Sequence, residues 1–115
     1  MREPIRDPQR LLHIIEAIDK LTSPDSLNLL VNINEKDINY FGIIKLLEII
    51  GEAAYKLTKE FKESHPQTPW IHIINMRHIL VHGYYIINKE DVVKTIKEDL
   101  PELNNQIKGY LKEFD

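Results

Sequence analysis

The sequence predicts an all-α protein, a single domain over residues 1–115 that folds as an antiparallel bundle of four or five helices. Apolar residues recur every three or four positions along most of the chain, which is the spacing that buries one face of a helix. The predicted connections between helices are short, and short connections favour antiparallel neighbours. The chain shows no internal repeat, linker or low-complexity segment.

The first predicted helix begins at Asp7, with Pro8 at the first helical position, where its missing N–H does no harm. Its buried stripe comprises Leu11, Ile14, Ile15, Ile18 and Leu21. The Ser-Pro-Asp turn at 23–25 ends this helix, and a short helix is predicted over residues 26–31.

A long third helix is predicted to begin near Asn34, with Asp37 as a possible capping partner, and to continue to Phe61. Its cleanest apolar stripe is Ile44, Leu47, Ile50, Ala54, Leu57 and Phe61, and Ile43, Leu46, Ile49 and Ala53 widen the stripe beyond one face. Such a helix has to bury two sides, one in its own bundle and, as one possibility, one against a second subunit. Gly51 either permits the close approach of another helix or simply packs in the core.

A fourth helix is predicted to run to about Val81, with Thr68 as its cap, Pro69 at its first position and Trp70 in the core. Gly83 suits the C-terminal turn of this helix.

The fifth predicted helix begins at Asn88, with Asp91 three residues later, and is kinked or restarted at Pro101. Its inward residues are Val92, Val93, Ile96 and Leu100, and the apolar face continues with Leu103, Ile107, Tyr110, Leu111 and Phe114.

Composition excludes several classes of protein. Cysteine is absent, which rules out disulfides and thiolate metal sites and fits a cytoplasmic protein. No stretch approaches the ~20 apolar residues of a membrane span, and the first ten residues lack the apolar core of a signal peptide.

The net charge of −3, from 15 basic and 18 acidic residues, is unfavourable for nonspecific binding of nucleic acid. Residues 64–89, however, contain no Asp or Glu. The basic and titratable residues of that window are Arg77, Lys89, His65, His72, His78 and His82. Burial of a helix would explain the missing acids, but it would not explain the histidines. His65 is expected in a loop and His72 on a helix surface.

The most informative segment is MRHILVHGYY, which contains Arg77, His82 and Tyr84. A guanidinium can hold a phosphate with two hydrogen bonds, and an imidazole can move a proton near neutral pH. Positions five apart on an ideal helix point about 140° away from each other. Arg77 and His82 can therefore converge only if the helix ends around 81–83, or if two copies meet across a two-fold axis.

This segment resembles the R-x4-6-H motif of the HEPN superfamily of ribonucleases, in the R-x4-H-x-Y form of HepT-like toxins. LEIIGEAAYKL, the pair Pro69-Trp70, MRHILVHGYY and DLPEL resemble that family in the expected order. His78 departs from the pattern, since many relatives have a small polar amide there. The resemblance implies a HEPN-like homodimer with the motif in its interface cleft. It also implies an RNA substrate, no cofactor and a minimal nucleotidyltransferase (MNT) antitoxin as partner.

By this resemblance Arg77 and His82 are the catalytic residues and His78 is a possible supporting residue. His82 would remove the proton of the 2′-hydroxyl as a general base, or protonate the departing 5′ oxygen as a general acid. Arg77 would stabilise negative charge on the phosphate. No metal is required, and the product would carry a 2′,3′-cyclic phosphate. Tyr84 is the implied site of AMP transfer (AMPylation), which switches the toxin off, and Tyr85 is expected in the core.

Three alternatives stay open at this stage, and one of them is a purely structural dimer. A noncatalytic helical dimer that binds a nucleotide or a protein partner would suit the acidic net charge. His78 and His82 also have the spacing of two metal ligands on one helix face, but no Asp, Glu or Cys lies nearby in the sequence to complete a site.

Overall fold

The computed structural model describes residues 6–83 and 87–114, and over these residues the chain is helical without any β-strand. The all-α prediction is confirmed. The helices are α1 (Asp7–Leu21), α2 (Pro24–Val31), α3 (Ile38–Lys56), α4 (Lys59–Ser64), α5 (Trp70–His82), α6 (Lys89–Lys94) and α7 (Leu100–Leu111). A π-helical turn, Thr95–Asp99, joins α6 to α7, and a 3₁₀ turn, Lys112–Phe114, follows α7.

The bundle is built around α3, which packs against α1 on one side and α5 on the other, while α7 packs against α1. The predicted stripe of α1 is buried at Leu11, Ile14, Ile18 and Leu21, and Ile15 packs against the same core. None of the helices in the described ranges is both long enough and apolar enough to cross a membrane.

The start of α1 is bound to the junction of α3 and α4. Asp7 is the first helical residue rather than the cap, and its carboxylate accepts hydrogen bonds from the backbone N–H of Thr58 (3.0 Å) and from the Thr58 hydroxyl (2.7 Å). The same hydroxyl accepts from the N–H of Phe61 and so caps α4. A residue predicted to act locally thus connects segments 51 positions apart in sequence.

The prediction of one long helix from Asn34 to Phe61 is wrong at both ends. Asn34 caps a separate turn by accepting from the N–H of Lys36 (2.8 Å), and α3 begins four residues later with Asp37 as its cap. At the other end Leu57 adopts extended backbone, with φ −60° and ψ 146°, because Thr58 starts α4. The short helix predicted at 26–31 begins earlier, at Pro24, capped by Ser23.

The predicted cap of α5 is also wrong. The Thr68 side chain is buried, and its hydroxyl donates its proton to Oε1 of Gln106 (2.7 Å). In the hydrogen bond between Thr68 and Tyr110, the Tyr110 hydroxyl is therefore the donor. Pro69 therefore occupies the cap position, and Trp70 is the first helical residue. Trp70 is buried as predicted, and its indole N–H donates to the carbonyl of His65 (2.9 Å).

His65 caps the C-terminal end of α4, in the loop where it was predicted, and it is buried. Its Nδ1 lies 2.7 Å from the Phe61 carbonyl and its Nε2 lies 2.9 Å from the Glu113 carboxylate. Both partners are acceptors, an arrangement that favours the ring with a proton on each nitrogen. Burial, which lowers the pKa of His65, is outweighed by these two hydrogen bonds and the Glu113 charge, and the pKa is raised.

The last helices follow the sequence closely. Asn88 caps α6 by accepting from the N–H of Asp91 (2.8 Å). Pro101 is the second residue of α7, and the π-helical turn before it restarts the helix, as predicted. Helix α5 extends to His82, one residue beyond the predicted end, and Gly83 has φ −124°, which any residue can adopt.

Gly51 is the point where α3 and α5 come closest. A Cβ added at Gly51 would lie 2.3 Å from the Cβ of Arg77, which is closer than real side chains approach. Of the two interpretations of Gly51, close helix approach is therefore the one observed.

We predict that Gly51→Ala destabilises the protein by ~1–3 kcal/mol, the usual cost of forcing extra atoms into a packed contact. Gly42→Ala on the same helix is the matched control, because no atom lies within 4 Å of the added Cβ. That control should gain ~0.5–1 kcal/mol from helix propensity. Urea unfolding measures both, and similar effects at the two positions would contradict the close crossing.

We predict that the His65–Glu113 pair makes stability fall as pH rises. Below pH ~6.5 the folded and unfolded chains both hold the His65 proton, and the contribution is complete. Above that pH the unfolded chain releases its proton first, so the contribution declines and is lost once the pH passes the raised pKa of His65.

Glu113→Gln removes the partner charge and should flatten this part of the pH profile. Urea unfolding of both proteins at pH 6 and pH 8.5 gives the comparison, with the exposed Glu16→Gln as the control for a lost surface charge. A pH dependence unchanged in Glu113→Gln would show that the pair does not hold the proton.

Candidate active site

Arg77 lies on α5 at the crossing with α3, and its side chain is directed along α3. Its Nε donates to Oε2 of Glu52 at 2.8 Å, and the guanidinium carbon is 5.9 Å from the centre of the Tyr55 ring. The side chain is 25% exposed. Arg77 is thus held by a carboxylate and an aromatic face while part of the guanidinium reaches solvent.

Glu52 holds two cations at once, because its other oxygen lies 3.2 Å from Nζ of Lys56. Burial raises the pKa of this carboxyl, but the hydrogen bond to Lys56 and the charge of Arg77 outweigh it, so the pKa is lowered. Glu52 is therefore ionised at neutral pH.

Arg77 lines a cleft of about 490 Å³ between α1, α3 and α5. Its charged and titratable lining residues are Arg10, His13, Lys45, Glu48, Glu52, Lys56 and Arg77. Four fixed cations face two carboxylates there, so the cleft is positive on a chain whose net charge is −3. Its volume is within the range of small-ligand sites.

His82 does not join Arg77 within one chain. Helix α5 is regular through His82, so the two side chains point about 140° apart. His82 is exposed, and its ring centre lies 6.4 Å from that of His78, nearly parallel to it. Helix α5 ends at His82, within the predicted range 81–83, but His82 is still helical and stays on a different face from Arg77. Convergence across two copies remains a prediction.

The remaining sequence-predicted residues have separate outcomes. Tyr84 and Tyr85 lie outside the described residues. His72 is exposed on α5, as predicted. In the part of the chain that the structure describes, no three His, Cys, Asp or Glu side chains are grouped as metal ligands.

Glu52, Arg10 and His13 line the Arg77 cleft and were not identified from the sequence. Glu52 follows Gly51 directly, inside the LEIIGEAAYKL segment. The signal was available, since a half-buried arginine needs a carboxylate partner. The pairing depends on how α3 and α5 cross, however, and Arg10 and His13 come from a helix that is distant in sequence.

Comparison with known proteins adds a family. A family model described as Ribonuclease HepT-like matches residues 11–109. A probable ribonuclease HepT of Thermococcus cleftensis is 40% identical over 72 residues, which are 63% of this chain and 66% of that protein. A provisionally named RNase of Caldanaerobacter subterraneus is 43% identical over 71 residues, 62% of this chain and 63% of its own length.

A provisionally named RNase of Methanocaldococcus jannaschii is similar over more of the chain. It is 31% identical over 119 residues, which cover 97% of this chain and 93% of the relative. The match to the first two relatives spans about two thirds of their length. No solved structure matches the chain.

Proposed function

Because the chain belongs to the HepT-like ribonuclease family, we propose that it is a metal-independent endoribonuclease, the toxin of a toxin–antitoxin pair. The observation that carries the proposal is the position of Arg77. Glu52 holds its Nε, and Arg77 lines a positive cleft. Such a guanidinium is suited to bind a phosphodiester with two hydrogen bonds.

In the proposed reaction the RNA supplies its own nucleophile. The 2′-hydroxyl loses a proton and attacks the adjacent phosphorus, the bond to the 5′ oxygen breaks, and that oxygen takes up a proton. The products are a 2′,3′-cyclic phosphate and a 5′-hydroxyl. His82 performs one of the two proton transfers, and Arg77 stabilises the additional negative charge on the phosphoryl oxygens.

Two chains have to supply these residues, because one chain holds them on different faces of α5. The exposed stripe of α5 comprises Ile71, Asn75, His78, Ile79 and His82, which follow helical spacing. Ile71 is 73% exposed and Ile79 is 47% exposed, and neither is covered within the chain. A homodimer packed on this stripe would bury both isoleucines, and the proposal requires that it also bring His82 of one chain to the Arg77 cleft of the other.

Control of the toxin is proposed to act at Tyr84, two residues beyond His82. AMP transfer to this hydroxyl by an MNT antitoxin would add bulk and a negative phosphate two positions along the chain from His82. The modifying partner and the RNA substrate would both be met in the cytoplasm. His78 is proposed to support His82, since the two rings lie side by side.

We predict that Arg77→Ala and His82→Ala each lower RNA cleavage by ~10²-fold or more, since each removes a residue that acts in the transition state. The assay is digestion of a mixed-sequence RNA in EDTA, with the product ends identified by mass spectrometry. His72→Ala is the matched control, an exposed histidine on the same helix that does not line the Arg77 cleft.

Equal cleavage by the wild type and His82→Ala would remove the enzyme claim. If no protein cleaves RNA but the wild type binds a nucleotide or a nucleotidyltransferase tightly, the noncatalytic dimer is the better account.

We predict that Glu52→Ala lowers kcat by roughly 10- to 100-fold, because Arg77 would lose its position and its guanidinium would no longer be aligned with the phosphate oxygens. Glu52→Gln should retain more activity, since its amide oxygen can still accept from Nε of Arg77. Glu63→Ala removes a comparable exposed glutamate, paired with Lys59 on α4 outside the cleft, and should leave kcat unchanged. Activity of Glu52→Ala equal to the wild type would mean that Arg77 is not positioned by this pair.

A further inference from the structure

Arg10 is the fixed cation of the cleft for which the described residues supply no ion-pair partner. Lys45 lies 3.5 Å from Glu48, and Lys56 and Arg77 share Glu52. Arg10 has no carboxylate within ion-pair distance among the described residues, although it lines the same cavity. Its charge is therefore available to a group that comes from outside the chain.

The guanidinium of Arg10 also contains a desolvated donor. Its Nε is fully shielded from solvent, yet no acceptor bonds to it within residues 6–83 and 87–114. A buried N–H without an acceptor costs stability, so the Arg10 side chain is not already satisfied by the described part of the chain. His13, one helical turn along α1, lines the same wall and offers a further ring nitrogen.

We propose that Arg10 and His13 form a second phosphate subsite, which binds the RNA phosphate next to the one that Arg77 holds. The inference rests on the proposed function for the identity of the polymer. A single strand presents successive phosphates along its backbone, and a groove with several cations follows such a strand. Arg10 and Arg77 line one cavity from two different helices, which is the arrangement needed to hold two neighbouring phosphates.

The test measures binding separately from cleavage. A short, fluorescently labelled RNA with 2′-fluoro groups has no nucleophile and cannot be cut by this chemistry. Its affinity is measured by anisotropy at several salt concentrations for the wild type, Arg10→Gln and Arg10→Lys. Thermal unfolding of each variant confirms that it is folded.

Arg10→Gln should weaken binding by about 10-fold or more. It should also reduce the slope of log affinity against log salt by about 0.7, the value expected when the protein neutralises one phosphate fewer on a single strand. Arg10→Lys keeps the charge and should restore the slope. The control Lys59→Gln changes an exposed cation on α4 outside the cleft and should leave both quantities unchanged. His13→Ala should weaken binding less than Arg10→Gln.

The outcomes separate this inference from the proposed function. If the wild type cleaves ordinary RNA but Arg10→Gln binds the analogue as tightly and with the same slope, the subsite is wrong and the nuclease stands. If the wild type binds through Arg10 without cleaving, the subsite stands and the nuclease is wrong. If Arg10→Gln changes only the dissociation of the dimer measured by sedimentation, Arg10 is a subunit contact and the inference is overturned. The inference is also overturned if the wild type does not bind the RNA analogue.

Discussion

The close crossing of α3 and α5 at Gly51 is the contact on which the rest of the site depends. Arg77 stands directly opposite Gly51, where a methyl group would not fit. The backbone approach fixes where the Arg77 side chain leaves α5, and Glu52, the next residue on α3, receives its Nε at 2.8 Å. Glycine within a helix costs ~0.5–1 kcal/mol relative to alanine, and the protein accepts that cost at this position.

The same crossing separates Arg77 and His82, the two residues that the proposed chemistry needs together. Because α5 is regular through His82, fixing Arg77 in the cleft places His82 on another face, beside His78. A phosphodiester bound by Arg77 therefore cannot meet His82 of the same chain without distortion of the helix. The exposed isoleucines of α5 provide apolar surface on the face that carries His82, and this surface is what supports the proposal of a shared site.

Periodicity and local signals in the sequence predicted most of the fold. The stripes of α1 and α7 are buried where the spacing placed them, and Asn88 and Asp37 cap the helices they precede. Failures occurred where a polar side chain had a distant partner. Asp7 binds Thr58, and Thr68 binds Gln106 and Tyr110, so neither caps the helix beside it. Local sequence cannot reveal such partners because they depend on how helices pack.

The site was predicted in the same uneven way. Arg77 and His82 could be identified because their chemistry and spacing are local features of one segment. Glu52 and Arg10 could not, since their role follows from the angle at which three helices meet.

The measurement that tests the shared site most directly is subunit mixing. Inactive Arg77→Ala and inactive His82→Ala are unfolded and refolded together, and RNA cleavage is compared with each variant alone. A site that joins Arg77 of one chain to His82 of the other leaves one intact site in each mixed dimer, so cleavage should return to a substantial fraction of the wild type. Mixed dimers that form but remain as inactive as the single variants would contradict a site shared between two chains.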